Sequence, residues 1–208
     1  MIVRVGLPWF RKQRPQVTQD TLRALEAYDK SKIDFQLCLV NGTHCVRGRA
    51  ISSMAVPMNG FAPVRQVLPY DYYLSMDDDM GFSAETVERL IARNVDIVGA
   101  AYLNREGDAA EIVAMPVNGK TKVDQFRVWQ CGLQEALWVG GGCMLIRKNV
   151  FEAMEFPWWR NNIATILDDK GVAYAEVQTE DISFCANARA AGFKVWIDLD
   201  TRAAHIPT

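Results

Sequence analysis

The chain has 208 residues, half of them hydrophobic and 10% aromatic, enough to bury one substantial core and to make a single domain the expectation. Its 23 Lys and Arg against 25 Asp and Glu leave a formal net charge of −2, which excludes disordered, collagen-like and histone-like classes and offers no global basic field for nucleic acid or anionic lipid. The longest nearly uncharged apolar stretch, residues 136–146, is broken by three glycines and is too short for about 30 Å of hydrocarbon, so no membrane span is expected.

The amino end lacks the basic, apolar and small-residue order of a secretory signal, which gives a cytoplasmic expectation. Five cysteines, odd in number and without a C-x-x-C pair, fit reduced thiols better than a disulfide frame or a zinc cage.

In chain order, residues 2–7 form a β-branched run closed by Pro8, a buried strand leading into a loop over residues 9–16 that is first aromatic and then basic. From Thr18, a potential cap, Leu22, Leu25 and Tyr28 recur at helical spacing, with Asp20 near the favourable amino end. A strand follows at residues 33–40. After the Asn41-Gly42 turn come a helix at 47–58 and a strand at 72–76 that stops at three aspartates. Ser83 is placed to cap a helix at 87–94, and residues 95–102 read as the next strand. This alternation predicts a parallel sheet with right-handed crossovers. Further on, residues 111–117, 123–130, 135–139 and 144–146 read as short strands of an antiparallel patch. Helices are expected at 148–154 and 181–191, and a last strand at 195–198. The predicted architecture is one α/β domain: a Rossmann-like half, residues 1–102, with a mostly parallel central sheet, fused to a smaller mixed or antiparallel half, residues 103–208.

Asp77, Asp78 and Asp79 stand at the carboxyl end of an expected central strand, where ligands of open α/β sheets bind. In an extended chain Asp77 and Asp79 would share a side, and a divalent cation is the usual way to neutralise such a pair. A solvated acidic turn ahead of a helix is the plain alternative. Glu180 and Asp181, preceded by Thr179, open a helix, where they serve either its dipole or a general base. His205 is a surface or core imidazole, or it completes an oxygen-plus-nitrogen set suited to Mn²⁺; His44 reads as structural. Gly140, Gly141 and Gly142 mark a turn or a close backbone approach. Arg47 and Arg49 are placed to meet a phosphate or to form a solvated face. Trp158 and Trp159 offer either a sugar-stacking platform or core.

The order of these motifs resembles the GT-A fold of metal-dependent nucleotide-sugar glycosyltransferases, particularly those like family 2. The resemblance covers nearly the whole chain and rests on the first strand with Pro8, Arg49, Tyr-Leu-Ser-Met-Asp-Asp-Asp-Met, Trp-Val-Gly-Gly-Gly-Cys-Met-Leu-Ile-Arg, Glu-Asp-Ile-Ser-Phe-Cys with the following Gly-Phe-Lys-Val-Trp-Ile-Asp, and the final histidine. It implies Mn²⁺, with Mg²⁺ as the substitute, held by Asp79 and His205 with Asp77 beside them, and a UDP-sugar donor. Pro8, Trp9, Phe10, Arg49, Asp77 and Asp78 would meet the nucleotide or its sugar. Gly141 and Gly142, with the two tryptophans, would border donor and acceptor. Asp181, with Glu180 its neighbour, would be the base toward a glycan or glycoprotein hydroxyl.

Two departures stand out. Ala50 replaces an asparagine frequent in the family, and the carboxyl-terminal flap and membrane helices of many relatives have no counterpart, which fits a minimal enzyme or an excised domain of a longer protein. Compact domains of this kind resemble the amino-terminal glycosyltransferase domains of large DNA viruses that glycosylate their capsids, for which a host-cytoplasmic location is implied. The competing readings are a sugar-nucleotide nucleotidyltransferase, which would want a better phosphate loop than Gly6-Leu-Pro-Trp-Phe, and a non-catalytic carbohydrate- or metal-binding module.

Overall fold

The computed structural model describes residues 1–9, 15–42, 44–54, 68–104, 110–119, 124–167 and 172–206. In chain order they form β1 (Ile2–Trp9), α1 (Gln16–Glu26), β2 (Asp34–Asn41), α2 (Cys45–Ser53), β3 (Tyr72–Met76), β4 (Met80–Gly81), α3 (Ala84–Ala92), β5 (Ile97–Ala101) and β6 (Ala114–Pro116). They continue as β7 (Leu133–Val139), β8 (Cys143–Arg147), α4 (Lys148–Ala153), β9 (Ile163–Leu167), β10 (Ala173–Val177), α5 (Glu180–Ala190), β11 (Val195–Arg202) and β12 (Ala204–His205).

An eight-stranded sheet runs in the order β2-β1-β3-β8-β5-β11-β7-β6. β1 is parallel to β2 and β3, and β5 to β11, but β8 enters antiparallel between β3 and β5. This corrects the continuous parallel sheet expected of the first hundred residues and removes β8 from the separate antiparallel patch. The apolar periodicity of residues 144–146 fits a central strand of either direction, so direction is a long-range outcome.

Both faces of the sheet are covered, and the side chains alternate accordingly. In β8, Met144 and Ile146 join the core under α4 and α5 with Phe151, Phe184, Trp158 and Trp159, while Cys143 and Leu145 join the opposite core with Leu22, Leu25, Val87 and Leu90 of α1 and α3. All five cysteines are free; Cys143 and Cys185 are core residues whose burial pushes their thiols up to about 12, whereas Cys45 and Cys131 are exposed and Cys38 is half-buried, which corrects a reading of all five as core.

Several local expectations shift. β1 runs through Pro8 to Trp9. Met1 and Trp9 accept from β2 or its turn, whereas Ile2 accepts from Asp71 on the β3 side, so even-numbered residues face β3. Pro8 lies past the last β1–β3 pair, Gly6↔Ser75, and its ring nitrogen faces that unpaired side. Thr18 does not cap α1; Pro15 holds that position, and the buried Thr18 hydroxyl donates to the carbonyls of Asp78 and Met80 at 3.1 and 3.0 Å. Ser83 occupies the cap position of α3 without a side-chain capping bond. The second helix spans Cys45–Ser53, and its expected continuation at 55–58 lies outside the described residues, as do residues 10–14 of the basic loop. Of the strand expected at 123–130, the described part makes the antiparallel bridge Glu111↔Arg127, flanked by backbone hydrogen bonds from the Ile112 amide to Phe126, the Phe126 amide to Ala114 and the Val128 amide to Ala110. The β9–β10 hairpin, unforeseen, pairs with no other described strand and leaves Ile163, Tyr174 and Val177 exposed.

A half-buried ion pair pins the end of α3 to β11. The fully buried Asp198 takes two hydrogen bonds of 2.8 Å from the Arg93 guanidinium and one of 2.6 Å from the Thr201 hydroxyl. Asp198→Ala leaves the half-buried Arg93 with Asp200 and takes the acceptor from the buried Thr201 hydroxyl, and is expected to lower unfolding stability by about 1–3 kcal/mol. A denaturant titration would show this as a lower midpoint at unchanged slope.

Candidate functional site

The carboxyl ends of β1, β3 and β5 converge on the aspartate turn. The chain does not continue as an extended strand there: the Met80 amide donates to the Asp77 carbonyl at 3.3 Å, closing a turn. Asp77 and Asp79 are consequently aimed at different partners and not to one side as alternation predicted. Asp77 Oδ1 accepts from Arg49 Nη2 at 2.5 Å. Asp79, nearly fully buried, places Oδ1 at 3.6 Å from His205 Nε2. Asp78 is half-buried between them.

His205 reaches Asp79 because β12 pairs antiparallel with β4, setting His205 opposite Met80, and because the Ile206 amide donates to the Asp79 carbonyl at 2.9 Å. Its Nδ1 lies 2.8 Å from the Leu103 carbonyl, which can only accept. The proton therefore resides on Nδ1, and in the neutral ring Nε2 keeps its lone pair toward Asp79. The ring packs edge-on against Tyr102 with centroids 5.3 Å apart.

Arg49 of α2 is 1% exposed. Its Nε donates to Ser75 Oγ at 2.8 Å, Nη2 to Asp77, and Nη1 pairs with Glu180 Oε1. Burial works against the Arg49 charge, but Asp77 and Asp181 more than offset it, so the guanidinium is held firmly protonated. Enclosure pushes the Asp77 carboxyl above the usual carboxylate value, Arg49 opposes this, and Asp79, Asp181 and Asp78 reinforce it.

The glycine turn meets this network directly. Ser75 Oγ donates to the Gly141 carbonyl at 2.8 Å, the Gly141 amide donates to Asp181 Oδ2 at 3.0 Å, and the Gly142 amide donates to the Tyr102 hydroxyl at 3.1 Å. None of the three glycines has positive φ; what excludes a side chain is proximity. A Cβ on Gly140 would fall 1.9 Å from the Tyr102 hydroxyl, and one on Gly141 2.3 Å from Arg49 Nη2. Of the two readings of the glycines, close approach is the observed one, and the approaching atoms belong to the protein.

Glu180 and Asp181 begin α5 as expected, with Thr179 at its cap position. The Thr179 hydroxyl binds Asp181 Oδ1 instead of a helix amide, and Oδ1 also accepts from the Ile182 amide at 2.8 Å. Glu180 is committed to Arg49, whereas Asp181 is held by three donors and stays half-buried. Trp158 and Trp159 are 5% and 2% exposed, with Trp159 stacked on Phe184 at 4.3 Å and donating Nε1–H to Ser53, so both belong to the core and offer no sugar platform. Pro8 and Trp9 end β1 beside the site, Arg47 and His44 are exposed near the start of α2, and Phe10 lies outside the described residues.

Among the described residues no three His, Cys, Asp or Glu side chains gather into a ready metal cluster. Asp77 faces Arg49, so the protein brings together Asp79 and His205 alone of the three expected ligands. This carboxylate-imidazole pair, with the second imidazole nitrogen fixed by a carbonyl, would fit Mn²⁺ as an incomplete set that further oxygen ligands would finish. Ser75, Tyr102 and Thr18 were not singled out as site residues from the sequence. The one available signal was a hydroxyl residue, Ser75, inside an otherwise apolar strand.

No family model matches the chain, and no curated protein matches it. Solved structures do. A197 from STIV aligns over 100% of this chain and 95% of its own at 14% identity, with a TM-score of 0.56. GalNAc-T7 with UDP, GalNAc and Mn²⁺ aligns over 99% of this chain at 11% identity and a TM-score of 0.56, and this chain spans 44% of that protein's length. The likeness is one of fold: the α/β fold class expected from the sequence, similar to GT-A glycosyltransferase structures, is the one observed.

Tyr102→Phe is expected to strand the buried Gly142 amide and to lower stability by roughly 1–3 kcal/mol. A denaturant melt of the variant against the parent protein measures it.

Proposed function

We propose that the chain is a metal-dependent glycosyltransferase that moves a hexose or deoxyhexose from a nucleotide-sugar, in the first instance a UDP-sugar, to a hydroxyl of a glycan or glycoprotein acceptor. The observation that carries this reading is the oriented Asp79–His205 pair at the carboxyl end of β3, facing the same end of the sheet as Asp181 at the start of α5. The likeness to a fold that holds UDP, GalNAc and Mn²⁺ in GalNAc-T7 supports it.

In this reading Asp79 and His205 hold Mn²⁺, or Mg²⁺ in its place. When bound, such a cation offsets the charge of the donor diphosphate and of the departing nucleoside diphosphate. Asp77 and Asp78 border the ribose and sugar, and Pro8 and Trp9 at the end of β1 border the base. The backbone of Gly141 and Gly142 forms the wall between donor and acceptor. Asp181 receives the acceptor hydroxyl proton in an inverting reaction, or positions that hydroxyl in a retaining one. Its three hydrogen bonds fix the direction of the carboxylate. A carbohydrate-binding module is less well supported, because the tryptophans it would use are buried. No described helix is long and apolar enough to cross a membrane.

Calorimetric titration of UDP and of GDP, with Mn²⁺ and then with EDTA, is the direct test. One nucleotide is expected to bind only with metal, and Asp79→Ala and His205→Ala are each expected to abolish that dependence; metal-independent or absent binding overturns the reading. Asp181→Asn is expected to keep nucleotide affinity within about twofold while transfer falls on the order of 100-fold or more. An active Asp181→Asn protein removes Asp181 from the proton-accepting role.

A further inference from the structure

We propose that Arg49 is a positioning residue and not a ligand of the donor: its buried guanidinium ties Asp77 at the end of β3 to Glu180 at the start of α5, and so sets where Asp181 stands. The inference rests on the glycosyltransferase reading of the site and adds to it a residue that acts through others.

An arginine that clamps a diphosphate must present a face or an edge of its guanidinium to the cleft. Arg49 presents neither. Its three nitrogens are engaged by Ser75, Asp77 and Glu180. One face lies toward the Trp159 ring, with Cζ 5.8 Å from its centroid. Gly141 lies against the same group so closely that an added Cβ would sit 2.7 Å from Cζ and 3.1 Å from Nε.

Two separate routes lead from this guanidinium to Asp181. One runs through Ser75, which accepts from Arg49 and donates to the Gly141 carbonyl, and on to Asp181 Oδ2 through the Gly141 amide. The other runs through Glu180, the residue next to Asp181 in the first turn of α5. A lysine supplies a point charge but not a planar fork, so it cannot hold Ser75, Asp77 and Glu180 together. In this arrangement Glu180 is consumed as a counter-charge, leaving Asp181 as the carboxylate that meets the acceptor.

The test compares Arg49→Lys, Arg49→Gln and Gly141→Ala with the parent protein in three measurements: the Kd of UDP with Mn²⁺, turnover of UDP-sugars by hydrolysis or transfer, and hydrogen exchange at the Gly141 and Ile182 amides. Gly141→Ala guards against a folding failure of the Arg49 variants, since it displaces the guanidinium without removing its charge. The expected pattern is a Kd within about threefold of the parent in the two Arg49 variants and, in all three, turnover lower by about 100-fold and faster exchange at both amides. A donor-contacting arginine would instead weaken UDP binding by about tenfold or more and leave the amides protected, and that result overturns the proposal. Parent-like turnover and exchange in Gly141→Ala overturn it too. If the parent protein binds neither UDP nor GDP, the glycosyltransferase reading falls, while amide exchange still decides whether Arg49 holds Asp181.

Discussion

A guanidinium taken out of water dictates what surrounds it. Arg49 is almost wholly buried, and an unpaired charge there would be prohibitively costly, so the fold must bring anions to it from two directions. It brings Asp77 from the end of one strand and Glu180 from the start of a helix more than a hundred positions later in the chain. The absence of a side chain at Gly141, the hydroxyl of Ser75 within an apolar strand, and the indole of Trp159 all follow from accommodating this one group.

Topology supplies the convergence. Because β8 runs against its neighbours, the turn that leads into it arrives at the same end of the sheet where β3 and β5 finish. A glycine turn, an aspartate turn and the end of β5 with Tyr102 thus meet at one rim, to which β12 returns the imidazole and α5 adds its two acids. Ligands of open α/β sheets bind at strand carboxyl ends, and the antiparallel insertion extends that rule by adding backbone amides from the opposite direction. On the same buried face of α1 as Leu22 and Leu25, Thr18 binds the aspartate turn, so the helix after β1 also has a share in holding Asp78 and Met80 in place.

The groups with a local signature were legible in the sequence. An apolar run ending in three aspartates, three consecutive glycines and a threonine followed by two acids announce strand end, turn and helix start through composition within a few residues. The GT-A-type fold class followed from their order. What the sequence concealed depended on partners far along the chain. Nothing within residues 144–146 declares the direction of β8, nothing near Thr18 reveals carbonyls sixty positions away, and nothing near Arg49 distinguishes a phosphate ligand from a buried strut. Trp158 and Trp159 illustrate the same limit, since an aromatic pair reads alike as platform or core until Phe151 and Phe184 are placed against it. The β9–β10 hairpin has no clear signal in the sequence because β10 is exposed at nearly every position and lacks the alternation of a strand packed on a core.

His205 is delivered by a strand of only two residues, joined to another of two. So short a ladder opens at a cost far below that of the whole domain. Any ligand that needs the imidazole then binds with an intrinsic affinity scaled by the fraction of molecules in which β12 is docked. Contacts that bear on docking alone, such as the Leu103 carbonyl and the Ile206 amide, therefore tune affinity without touching the ligand, and by reciprocity a bound ligand would order this segment.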